Sequence, residues 1–95
     1  MGRLDYCLSM KDKTRDLAFR INSIRQRLAA NPDHRSRVRL RGELEVLEMR
    51  RESILARLQV LESEPEGTWN NLRADIEQEW DGLVQDFEER VGRLA

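Results

Sequence analysis

An 11-residue repeat in the last third of this chain constrains its fold more than any other feature. Trp69, Leu72, Asp75 and Ile76 recur one period later as Trp80, Leu83, Asp86 and Phe87, and the apolar line continues through Val91 and Leu94. Eleven residues make almost three turns of α-helix, so these positions share one face. The pattern predicts an amphipathic helix over residues 66–94.

Two upstream segments carry a seven-residue period instead. Met10, Thr14, Leu17, Ile21, Ile24 and Leu28 alternate steps of four and three, the seam of a coiled coil. Ser9 followed by Asp12 has the form of a helix N-cap, so this helix is expected over 9–30, with residues 1–8 as an arm. Asn31-Pro32-Asp33 then breaks the chain and offers a cap for the next helix, expected over 33–62. Its seam is Leu40, Leu44, Leu47, Arg51, Ile54, Leu58 and Leu61, with Val46 and Val60 read as widening the stripe. Arg51 on that seam is expected to cover core with its alkyl stem while its head reaches solvent; the rival is a buried polar pairing that sets register. Ser63-Glu64-Pro65-Glu66-Gly67-Thr68 forms the second break.

Breaks this short imply antiparallel neighbours. The expected fold is therefore all-α: an antiparallel three-helix bundle, or a coiled-coil hairpin with a third amphipathic helix. Residues 1–95 form a single domain. Its expected core includes Leu17, Ile21, Ile24, Leu44, Leu47, Leu58, Leu72, Ile76, Trp80 and Leu83. A chain of this length has a thin core, which makes a partner or a second copy useful.

Charge is segregated along the chain. Residues 1–42 carry a balance of +7 and residues 43–95 a balance of −8, against −1 overall. Arg25, Arg27, Arg35, Arg37, Arg39 and Arg41 gather at the turn between the first two helices, next to His34. Such a tip could bind a polyanion or nucleic acid. The preferred reading is charge matching with Asp86, Glu88 and Glu89 of the third helix, because the cluster has no interleaved aromatics for base stacking. Pairs Arg39–Glu43 and Arg41–Glu45 are also expected at i,i+4.

The tandem 11-residue repeats resemble the lipid-surface helices of exchangeable apolipoproteins across two periods. That resemblance implies a peripheral lipid- or granule-surface role as an alternative. The third helix departs from it, with Asp75, Glu77, Glu79, Asp81, Asp86, Glu88 and Glu89 on a segment holding only Arg73, Arg90 and Arg93 as basic residues. An anionic membrane calls for the opposite sign, so its line is read as bundle core.

Reaction chemistry is not legible. His34 and Cys7 each stand alone, with no metal-ligand spacing, no Glu-x-x-His pair and no glycine-rich phosphate loop. No catalytic residue, cofactor or metal is expected, and the chain is read as not an enzyme. It has no secretory signal and no long apolar run, so the expected compartment is the cytosol. Arginine outnumbers lysine 15 to 2, a weak pointer to a GC-rich bacterial source. Phe19, Val38, Met49, Leu55 and Val84 fall off the seams and form a candidate interface. The expected function is a non-enzymatic helical interaction or scaffold protein. Its expected partners are itself, as a homodimer or higher oligomer, or another protein, rather than nucleic acid or membrane.

Overall fold

The computed structural model describes residues 2–91, which form α1 (Arg3–Ala29), α2 (His34–Ser63) and α3 (Glu66–Arg90). The helices run up, down and up in a rod of 52 × 18 × 17 Å, the three-helix bundle expected of the pattern. α2 is central: α1 and α3 each pack closely against it. α1 and α3 meet instead through long side chains. Tyr6 meets Trp69 edge to face at 6.0 Å, Arg20 lies over the Phe87 ring at 4.6 Å, and Arg20 donates to Glu88 at 2.7 Å.

α1 begins at Arg3 rather than Ser9, so most of the expected arm is helical. The reason is visible in the spacing. Cys7 precedes Met10 by three residues and extends the alternation of threes and fours by another step. Cys7 is fully buried and Tyr6 nearly so, and burial of both draws the first turns onto the bundle. Asp5 places a negative charge in the first turn, where unpaired N–H groups favour it. Ser9 lies exposed inside the helix and caps nothing. The start of α1 is tied to the second turn as well, since the Arg3 guanidinium donates to the Glu64 carbonyl and Lys11 pairs with Glu62.

Asp33 caps α2. Its carboxylate accepts from the Arg35 backbone N–H at 3.2 Å and from the Ser36 hydroxyl at 2.6 Å, and the hydroxyl bond holds the acid below its ordinary range. α2 spans one residue beyond the predicted end, and α3 starts at Glu66 behind Pro65. Val91 closes the described part of α3 and is buried; Leu94 and the rest of the expected helix after residue 91 lie outside the described residues.

Every seam residue of α1 is buried, including Thr14, whose hydroxyl donates to the Lys11 carbonyl at 2.8 Å. In α2 the seam is buried except at Arg51. In α3, Ile76, Leu83, Phe87 and Val91 enter the core, but Leu72 and Trp80 are only half-buried, short of the expectation. The periods explain this. A seven-residue stripe and an 11-residue stripe drift around a helix in opposite senses, so α3 cannot keep its whole line against a heptad hairpin. Trp69 and Trp80 fill the wider α1–α3 side.

Candidate interaction surfaces

The outward face of α2 departs most from expectation. Val46 and Val60 do not widen the inner seam; they stand 54% and 49% exposed. Val46 lies two residues after Leu44, which turns it about 200° around the helix. Val38 and Met49 are exposed as expected of interface residues, Met49 at 69%. Gly42, Ser53 and Ala56 are exposed between them. Read in order, Gly42, Val46, Met49, Ser53, Ala56 and Val60 form a second stripe on the opposite side of α2 from the core.

The remaining candidate interface residues divide. Phe19 is 66% exposed on α1, where Leu4 and Leu8 are also exposed nearer the N-terminus. Leu55 is not an exposed contact: it is partly buried against the core. Val84 is half-buried and lines the α1–α3 groove with Leu17, Arg20 and Trp80.

Among the described residues no ion pair joins Arg25, Arg35, Arg37, Arg39 or Arg41 to the acidic residues of α3. Asp86 pairs with Arg50 and Glu88 with Arg20, both away from the tip, while Arg57 pairs with Glu79 at 3.4 Å. These contacts put the last described turns of α3 beside the middle of α2. Arg25 donates to the neutral Asn22 side chain and Arg37 to the Asn31 carbonyl at 2.6 Å. His34 Nδ1 lies 3.4 Å from the Arg37 guanidinium. Arg27 also has an interaction. Arg35, Arg39 and Arg41 make no ion pair among the described residues, and neither expected i,i+4 pair, Arg39–Glu43 or Arg41–Glu45, forms.

Arg51 is a correction too. Its head does not reach freely into solvent: it turns back one helical turn onto Glu48, with Nε 3.1 and 3.2 Å from the two carboxylate oxygens. The pair is largely covered, at 14% and 26% side-chain exposure. The Arg51 bond holds the Glu48 carboxyl below its usual range, and the same bond raises the Arg51 guanidinium. The covered pair satisfies the polar group that the heptad line brings to the core edge.

The α1–α3 side holds the chain's other polar irregularity. The Tyr6 hydroxyl and the Trp69 Nε1 are buried without a hydrogen-bond partner among the described residues, and the Arg73 guanidinium sits 4.7 Å from the Trp69 ring and 5.8 Å from the Tyr6 ring. Burial, then the charge of Glu77, pushes the Tyr6 hydroxyl up to about 12. The Cys7 thiol is fully buried, and burial pushes it up as well, the reverse of a reactive cysteine. Among the described residues no cluster of His, Cys, Asp and Glu could hold a metal ion, and no helix is long and apolar enough to cross a membrane.

Comparison with protein-family models, with curated proteins and with solved structures finds no match.

Proposed function

We propose that this chain is a non-enzymatic interaction protein that works through its outward helix faces and self-associates. One observation carries the reading. The bundle closes a core from all three helices, yet α2 still holds Val38, Val46, Met49 and Val60 in solvent on its far side. Scattered exposed apolar residues are ordinary; four aligned on one helix form the kind of patch that marks an interface. The buried thiol and His34, whose ring lies beside the Arg37 guanidinium in the first turn of α2, support a non-enzymatic role. Sedimentation velocity over a range of micromolar concentrations tests self-association. A sedimentation coefficient that rises with concentration is expected. A constant value for a single elongated chain would refute it.

A second reading has its own observation. Arg35, Arg39 and Arg41 are exposed around one helix end and make no ion pair among the described residues. A polyanion fits that tip, through phosphate or sulfate charge rather than base contacts. Retention on heparin at low salt, lost on neutralising these three residues, is the expected result. Absence of retention by the wild type removes this reading. The lipid-surface alternative draws no support from α3, where Ile76, Leu83 and Phe87 are buried in the core.

A further inference from the structure

α2 carries two heptad seams, and only one of them is covered. The inner seam runs Leu40, Leu44, Leu47, Arg51, Ile54, Leu58 and Leu61. The outer one runs Gly42, Val46, Met49, Ser53, Ala56 and Val60, in steps of four, three, four, three and four. Both follow the periodicity of helices that pair along their length. The first is satisfied by α1 and α3.

The flanks of the outer seam are charged, and oppositely so. One flank carries Glu45 and Glu52, exposed and without an ion pair among the described residues. The other carries Arg50 and Arg57, each held on the α3 side by Asp86 and Glu79. A guanidinium has five donors in a planar fork, so each arginine can bridge its α3 carboxylate to a second one. When two copies of such a helix pair in parallel, the acidic flank of one faces the basic flank of the other. Glu45 then meets the second copy's Arg50, and Glu52 its Arg57. An antiparallel pair brings like flanks together, arginine to arginine and glutamate to glutamate.

Gly42 adds an independent observation. A glycine inside a helix is unfavourable relative to alanine. Here a Cβ would have nothing within 4 Å, so this chain's own packing gives no reason for the glycine. With Ser53 and Ala56 it leaves the outer seam shallow enough for a second backbone to approach.

We infer that a second copy of this chain docks on the outer seam of α2, in parallel and in register, with Glu45–Arg50 and Glu52–Arg57 pairs closing each side. The inference rests on the self-association proposed above and specifies its face, direction and register. Rods joined this way place both arginine tips at the same end.

Disulfide trapping with Ala56→Cys, run beside the wild type, tests the arrangement. Parallel in-register pairing sets residue 56 opposite its own copy, within the Cα separation of about 4.4–6.8 Å that a disulfide needs. Antiparallel pairing moves it several turns away. The native Cys7 is buried and serves as the uncrosslinked control. The expected result is a covalent dimer of the variant under mild oxidation and none of the wild type. Glu52→Arg should raise the dissociation constant about tenfold, and adding Arg57→Glu together with Glu79→Arg should restore it, because the reversed charges rebuild both the pair between copies and the Arg57–Glu79 contact within each. A wild type that sediments as a dimer while the Ala56→Cys variant does not crosslink overturns this inference and leaves self-association standing. A wild type that stays monomeric overturns both.

Discussion

Leu47 and Met49 lie two residues apart on α2 and face opposite ways, at 1% and 69% exposure. Truncation of each to alanine separates the two faces energetically. At Leu47 the change removes a buried side chain from the inner seam, and large-to-small core substitutions of this kind cost about 2–5 kcal/mol. A bundle this size has a total stability of about 5–14 kcal/mol. A loss of about 3 kcal/mol therefore removes much of it and lowers the melting midpoint by roughly 10–20 °C. At Met49 no core contact is lost, and alanine is at least as good a helix former, so a dilute monomer changes by within about 0.5 kcal/mol. The difference should appear on concentration. Wild-type stability rises with protein concentration because association favours the folded chain, and Met49→Ala flattens that rise. Thermal unfolding followed by circular dichroism at two concentrations reads both effects. A Met49→Ala chain as destabilised as Leu47→Ala under dilute conditions would refute the assignment of faces.

Other outcomes follow from single residues. Gly42→Ala should stabilise the dilute chain by about 0.5–1 kcal/mol, read by urea denaturation, while weakening association in sedimentation. Tyr6 is the sole tyrosine. Its folded value lies above the ordinary 10.0, so the fold favours the neutral hydroxyl. That contribution is complete below about pH 10 and is lost as pH climbs from there to about 12. Ultraviolet titration should place phenolate formation near 12 in the folded chain; a midpoint near 10 with the helices intact contradicts its burial. Cys7 should resist an aromatic disulfide reagent in the native state and react fully in denaturant, since its thiol is covered. Rapid labelling of the folded chain would show that the first turns of α1 are not packed as described.

Much of the fold was legible because apolar periodicity survives in a chain with few other signals. The α1 seam from Met10 to Leu28 and the α2 seam from Leu40 to Leu61 lie where their spacing puts them. The start of α1 is not legible because Ser9 and Asp12 have the form of an N-cap, while Cys7 stands as a lone thiol whose place on the heptad shows only once it is buried. Val46 and Val60 were misassigned although the sequence held the answer: an apolar residue two positions beyond a seam residue points away from it. Other details were not legible. Which arginines meet which carboxylates depends on how far α3 reaches along the hairpin, and no local pattern encodes that. Among the described residues Arg20, Arg50 and Arg57 take α3 carboxylates for this reason. Leu72 and Trp80 stay half-buried because the α1–α3 separation comes from mismatched periods acting over whole helices.

Coverage of the outer face of α2 by a second copy doubles the mass of the particle in solution. Light scattering coupled to size exclusion tests it most directly, because it gives mass independently of the elongated shape. The measurement compares the wild type with Met49→Glu, which places a charge at the middle of the outer seam and leaves the core untouched. The expected result is twice the 11.2 kDa chain mass for the wild type at high micromolar concentration and a single chain mass for the variant, with equal helix content. A single chain mass for both, or twice that mass for both, would contradict it.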